Sequence, residues 1–408
     1  MPLALLLALL VSLAAPPDAT LPARSHAAVA DTTDDDLGVS PLVIPSGFYS
    51  PTRGFGVGAG VEFDHLIAPG TEFRLTGQVM QRFRRYRTSF FTGDPFEARL
   101  FAGILGEYFT NEVRGYYGLG PQTSRARKVF VHIREVEGEV RLGWRPFDRD
   151  WLLVQPVVRL LHTRVVSFRD RREDAFVRLD EASQRALFEA VDRPATGVTY
   201  GLELALDGRD RPLYPTRGAL LLLTGRRYDG LDARPFRHYT GTASAFGFVP
   251  ITGRHVLFAR AVVASTRRIG DEPLPYFALP VVDDDLIGAY PGHRLIGNDV
   301  LAISAGYRFP LVTLYDWYGL DAHVSVSAAN AYDSLLDQFE PGLTFSGDLT
   351  DEGERTPLRP ALALGGSIVN LDRGHAVIGG QVGIDPEGLR LATLRFTYEL
   401  RDRRPLVR

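Results

Sequence analysis

The twelve residues Asp207-Gly-Arg-Asp-Arg-Pro-Leu-Tyr-Pro-Thr-Arg-Gly218 join two segments whose side chains alternate apolar and polar. Before them Tyr200, Leu202, Leu204 and Leu206 share one face and Thr199, Gly201, Glu203 and Asp207 the other, the period-two signature of a strand between two different solvents. Pro212 and Pro215 restrict φ, Asp210 and Arg217 stand where they can fix the bend, and Gly218 offers a position free of Cβ strain. The block reads as the foot of a β-hairpin, and similar strands fill most of the chain.

The alternation is sharpest where one face is small. Phe55, Val57, Ala59, Val61 and Phe63 alternate with Gly56, Gly58, Gly60, Glu62 and Asp64. Farther on, Leu320, Ala322, Val324 and Val326 alternate with Asp321, His323, Ser325 and Ser327, and Leu394, Phe396, Tyr398 and Leu400 with Thr393, Arg395, Thr397 and Glu399. The pattern predicts strands over 42–50, 54–66, 71–82, 86–93, 97–110, 128–145, 151–168, 197–208, 217–228, 237–250, 254–267, 299–311, 317–332, 358–370, 375–385 and 389–400, an even set of sixteen. Short turns at Ala68-Pro69-Gly70, Gly93-Asp94-Pro95, Pro146-Phe147-Asp148, Pro250-Ile251-Thr252-Gly253 and Leu371-Asp372-Arg373-Gly374 alternate with long loops over 111–127, 169–196, 268–298 and 333–357. One loop carries a short helix, Asp180 to Asp192, with Leu179, Ala182, Ala186, Leu187 and Ala190 toward one face.

Composition narrows the setting of these strands. A net charge of −3 gives no case for a nucleic-acid partner, and nearly all basic residues are arginine, with Lys128 the sole lysine. With no cysteine, disulfides, thiolate metal sites and thiol catalysis are excluded. The apolar run Leu3 to Ala15 followed by Ala28-Val29-Ala30 reads as a signal peptide over 1–30; the run is too short for the roughly 20 residues of a spanning helix. Residues 31–41, with the acidic Asp31 to Asp36, then form a periplasmic tether, 42–400 the strand region, and 401–408 a basic tail. No other stretch approaches 18 consecutive apolar residues. An exported chain of long alternating strands that enters a bilayer must pair all its backbone groups internally, which leaves a closed transmembrane β-barrel in an outer membrane, its short turns periplasmic and its long loops extracellular.

Four pieces in this order resemble the outer-membrane assembly-factor barrels, the bacterial surface-antigen superfamily that includes BamA- and TamA-like proteins. They are Phe48-Tyr49-Ser50-Pro51-Thr52-Arg53-Gly54-Phe55-Gly56, Tyr116-Tyr117-Gly118-Leu119-Gly120-Pro121-Gln122-Thr123, the Asp207–Gly218 block, and Gly306-Tyr307-Arg308-Phe309-Pro310-Leu311. The resemblance implies an up-and-down barrel of sixteen antiparallel strands that aids insertion or translocation of proteins or lipids. It also implies a sixth long loop folded inward, whose Arg-Gly-aromatic tip pairs with a wall carboxylate. Here that tip reads Gly288-Ala289-Tyr290, with Gly288 at the arginine position and Ala289 at the glycine position, and the wall carboxylate is Asp321. Either Arg294, six residues along, takes over the pair with Asp321, or the pair is lost. The chain also lacks the family's periplasmic repeat domains and runs past its last strand into arginines.

The remaining candidates carry bland readings. Nine histidines stand singly, Asp283-Asp284-Asp285 reads as a solvated loop, the glycines at 54–60 alternate along a strand with no helix after them, and no Gly-x-Ser-x-Gly elbow occurs. No metal, cofactor or catalytic set is expected, and the chain is expected not to be an enzyme. Tyr214, Tyr307, Phe309, Trp317 and Tyr318 read as interfacial aromatics, and inward charges as cross-lumen pairs. The first strand holds Pro45 and Pro51 and must close on the last, with Phe396 and Tyr398, so the seam is expected to be weak. Partners are then outer-membrane lipids, unfolded membrane-protein clients and, as a further option, a separately encoded periplasmic protein; the alternative is a passive pore or receptor-like barrel without assembly activity.

Overall fold

The structure, a computed structural model, describes residues 41–50, 54–64, 66–68, 70–93, 98–121, 123–146, 151–170, 174–211, 214–233, 235–282, 290, 292–314, 317–345, 355–371 and 375–396. The readings placed on the signal peptide, the tether, the basic tail and Asp283 to Asp285 therefore lie outside the described residues. Sixteen strands form one antiparallel ring: β1 (Pro41–Ser50), β2 (Gly54–Asp64), β3 (Glu72–Met80), β4 (Phe83–Phe91), β5 (Leu100–Tyr116), β6 (Val129–Trp144), β7 (Leu152–Asp170), β8 (Ala195–Asp207), β9 (Gly218–Gly230), β10 (Arg237–Thr252), β11 (His255–Ile269), β12 (Asp299–Leu314), β13 (Tyr318–Tyr332), β14 (Thr356–Asn370), β15 (His375–Asp385) and β16 (Gly388–Phe396). Each pairs with its chain neighbour, and β16 returns to β1 through Gly47–Phe396, Phe48–Arg395 and Tyr49–Leu394.

The period-two pattern sets which way each side chain points. Ile104, Val140, Val158, Leu202, Val326 and Leu364 lie exposed on the outside, giving an apolar belt. Their sequence neighbours turn into the lumen, where they are charged and paired. Arg74 meets Glu62 at 2.8 Å, Arg85 and Arg87 share Glu107 at 2.9 and 2.8 Å, and Arg141 and Arg159 both grip Glu139. Removing one partner from such a buried pair strands the other, so the arginines and carboxylates of adjacent strands depend on each other.

Two of the strand boundaries that differ from the alternation have a local cause. β4 begins at Phe83, three residues earlier than the expected 86, because Gln81 and Arg82 alone make the turn from β3. β5 continues past 110 to Tyr116 through a bulge between Asn111 and Arg114, where the Asn111 side chain accepts the Val113 peptide N–H at 3.0 Å. That bulge breaks the period-two pattern for two residues, so the extension resembles loop in the sequence. Strand length consequently varies around the ring, from 9 residues in β3 and β4 to 17, 16 and 19 in β5, β6 and β7.

The tall ends of β5–β7 turn Tyr116, Val129, Val131, Ile133 and Val165 inward, and the long loops cover them. Helix α1 (Glu181–Asp192) lays Leu187 and Ala190 on this cluster. Its N-cap Asp180 accepts the Ser183 peptide N–H at 2.8 Å, and the Ser183 hydroxyl accepts the Leu119 peptide N–H at 2.9 Å, which ties the helix start to the neighbouring loop. Ala182, expected on the packed face, is exposed, because that face runs through Leu179, Ser183, Leu187 and Ala190.

The hairpin foot folds as its residues indicate. Asp210 accepts the peptide N–H groups of Arg211, Thr216 and Arg217 at 3.0, 2.9 and 3.2 Å, and Asp207 accepts the Arg209 guanidinium at 2.8 Å. Gly218 has φ +98°, and a Cβ there would lie 2.1 Å from the Gly208 carbonyl oxygen. Two outcomes are expected in urea titrations of the refolded protein. Gly218→Ala destabilises by about 1–3 kcal/mol through backbone strain, and Asp210→Ala by about 1–3 kcal/mol through orphaned turn donors. An unchanged midpoint for both would show that the foot does not constrain the barrel.

Candidate functional site: the plugged lumen and the strand seam

The loop between β11 and β12 enters the lumen because the wall there is lined with alanine. Ala264, Ala302, Ala329, Ala331 and Ala361 face inward on β11–β14 and leave a trough for Val282, Tyr290 and Leu295. Val281–Val282 pairs with Leu295–Ile296 as a short ribbon, so the intervening segment makes a closed excursion and returns. Tyr290 donates its hydroxyl to the Pro360 carbonyl at 3.1 Å, and burial pushes this phenol upward from its ordinary pKa. Arg294 packs its guanidinium over the Tyr290 ring at 5.3 Å and is 2% exposed.

Arg294 does not meet Asp321. Its guanidinium donates to Asp385 at 2.9 Å and to Glu387 at 2.7 Å, the two carboxylates of the β15–β16 hairpin. Arg125, from the loop between β5 and β6, reaches the same pair: its guanidinium donates to Asp385 at 2.9 Å and its peptide N–H to Glu387 at 2.9 Å. Arg359 on β14 holds that loop through the carbonyls of Thr123, at 2.6 Å, and Pro121. Two arginines from two loops thus close on one acidic hairpin, and that hairpin carries the last strand of the ring. Gly288 and Ala289, the other two positions of the expected tip, lie outside the described residues.

Asp321 has different partners at the other end of the barrel. It accepts the Tyr214 hydroxyl at 2.9 Å and lies 3.2 Å from Arg254. Tyr214 therefore folds inward from the hairpin foot and is not an interfacial aromatic. Arg308 stacks over its ring at 3.8 Å and donates to the Pro215 carbonyl, and burial raises the Tyr214 phenol. The physical reason is Pro215, whose fixed φ helps bend the foot directly after Tyr214 and leaves the ring facing a buried carboxylate. Trp317 by contrast is 62% exposed. Arg217 contributes its peptide N–H to the turn, and its side chain is exposed.

The seam joins β1 to β16. Gly47–Phe396, Phe48–Arg395 and Tyr49–Leu394 are its pairs among the described residues, whereas β1 and β2 stay in register from Pro41–Phe63 to Ser50–Gly54. Pro45 pairs with Ala59 in that ladder and has no N–H to offer its other side. Pro51 and Tyr398 lie outside the described residues. The β15–β16 ladder is itself interrupted by a register shift between Gly380 and Val382. The sequence reading missed Asp385, Glu387, Arg125 and Arg359; the one local signal was Asp385-Pro386-Glu387-Gly388, a tight turn with a carboxylate on either side of a proline.

No protein-family model matches the chain, and no curated protein matches it in sequence. Solved structures do match in shape. BamA from Haemophilus ducreyi lacking POTRA domains 1–3 superposes with a TM-score of 0.60 at 12% identity, over 88% of this chain and 70% of that one. CdiB from Escherichia coli superposes with a TM-score of 0.51 at 11% identity, over 88% of this chain and 63% of that one, so this chain spans less than two thirds of CdiB. With its sixteen-strand ring, closed by pairing of β16 with β1, and its inward loop, the chain has the fold of a BamA-like barrel.

Proposed function

We propose that this protein is an outer-membrane barrel that assists the insertion or translocation of proteins or lipids at the seam between β1 and β16, and that it has no enzymatic activity. The observation that carries the reading is that the ring closes through a first strand in which Pro45 removes a donor. An edge with unsatisfied backbone groups is a template for an incoming strand. The short-turn rim then faces the periplasm and the long-loop rim the exterior. Clients are unfolded membrane proteins on this reading, with outer-membrane lipids as the surroundings and no nucleic-acid partner; a separately encoded periplasmic protein is the natural supplier of clients.

The arginine clamp on Asp385 and Glu387 is the natural restraint on this seam. It holds the outer end of the last hairpin to two loops packed in the lumen, so the last strand is fastened from inside as well as through its ladder. A plugged lumen also weighs against a steadily open pore.

The test is the folding rate of an unfolded barrel client in liposomes with and without the protein. Because the chain has no cysteine, Gly47→Cys with Phe396→Cys creates a single possible cross-link, across a register pair whose Cα spacing suits a disulfide. Acceleration by the reduced form that disappears on oxidation is the expected result. No acceleration by either form, with a steady conductance in planar bilayers, would replace this reading with the passive pore. Arg294→Ala is expected to destabilise the barrel by about 3–5 kcal/mol through the stranded carboxylates, and to speed amide exchange in β16 more than in β9. Equal exchange in both strands would detach the clamp from the seam.

A further inference from the structure

The outer face of β4–β7 carries a row of arginines that outnumbers the carboxylates beside it. Register places Arg84 opposite Thr110, Thr110 opposite Arg134, and Arg134 opposite Arg164, and all four project outward with the apolar belt. All three arginines are exposed, and none makes an ion pair among the described residues. Arg134 and Arg164 are direct cross-strand partners, and like charges in that position repel. Arg82, Arg84 and Arg134 line a cleft of about 90 Å³ in which Glu112 is the one carboxylate among the described lining residues.

Comparison around the ring shows that pairing is available where the fold uses it. On β9 and β11 the outward Arg227 and Arg267 meet Asp229 at 3.0 Å and Asp299 at 2.8 Å. Beside the row on β4–β7 Glu112 is the one acid of the cleft, and it pairs with none of the three arginines among the described residues, so most of the charge is left for something outside the chain. Its position says what. One register step toward the short-turn rim lie Tyr86 and Tyr108, stacked at 6.2 Å, with the exposed Val136 opposite Tyr108, and beyond them the exposed Val140, Val158 and Leu160. Apolar belt, then tyrosines, then arginines is the order in which a leaflet presents acyl chains, interface and phosphates.

We propose that this row is a binding site for the phosphorylated headgroup of an anionic membrane lipid in the leaflet nearest the long loops. The guanidinium forks of Arg84, Arg134 and Arg164 take the phosphate oxygens, and the acyl chains lie on Val136, Val140, Val158 and Leu160. A bridging phosphate also removes the repulsion between Arg134 and Arg164. The inference rests on the chain spanning a membrane as a barrel, and is independent of any assembly activity.

The test is native mass spectrometry of the full chain in neutral detergent, titrated with phosphatidic acid or with phosphatidylcholine of the same acyl chains. The unmodified protein is expected to retain phosphatidic acid preferentially. In R84Q/R134Q/R164Q that preference falls at least about tenfold, and R134Q alone gives a smaller fall in the same direction. A charge-matched control at exposed positions off the row, R178Q/R185Q/R211Q, keeps it. Equal retention of the two lipids by the unmodified protein, or an unchanged preference in the row variants, overturns the proposal. So does complete displacement of the lipid by millimolar inorganic phosphate, which would make the row a site for soluble anions; lipid that stays bound supports it. Folding of each variant is read separately from its heat-dependent gel migration. A protein that binds the lipid without accelerating client folding would leave this site standing and remove the assembly reading, and the converse result would do the reverse.

Discussion

Inside a bilayer no water is available to satisfy a peptide group, and the whole molecule is arranged around that fact. Sixteen strands meet the requirement by pairing in sequence order, each ladder local except the one that joins the first strand to the last. Closure is therefore the step in which residues 47–49 must find residues 394–396. All other neighbours are delivered by a hairpin or a loop. The closing ladder is thus the one with the greatest separation along the chain, which makes it the natural point of weakness in the ring.

The interior follows from the same alternation. Turning every second side chain inward puts arginines and carboxylates into a confined space, where each must find a partner, and adjacent strands supply it, as Arg85 and Arg87 do with Glu107. Near the long-loop rim the strategy changes. There the inward residues of β5–β7 are apolar and those of β11–β14 are alanine, so loops pack against the wall instead of charges pairing across it. The two regimes meet at Asp385 and Glu387, which belong to the wall but are satisfied by arginines from the plug.

How much of this was legible in the sequence depended on distance along the chain. Strand positions, the alternation of short turns and long loops, and the hairpin foot are local patterns, and Asp210 with Gly218 does in space what its spacing indicates. The bulge at Asn111 hid the end of β5, since a two-residue break in period looks like a loop. The partner of Arg294 was not legible: Asp385 lies 91 positions away, and the choice between it and Asp321 depends on which end of the barrel the loop reaches. Tyr214 carries a related lesson. An aromatic near a strand end is ordinarily an interface residue, and only the fold of the foot shows it turned onto Asp321.

The uneven lengths of the strands give the ring a shape with a direction. At about 3.3 Å per residue, β6 and β7 rise more than 15 Å farther along the strand than β3 or β4, so the wall has a high side and a low side. On the low side nine residues are about what a bilayer needs from one strand. The geometry is that of a spout: a segment leaving sideways past β3 and β4 would meet less wall than one leaving past β6 and β7.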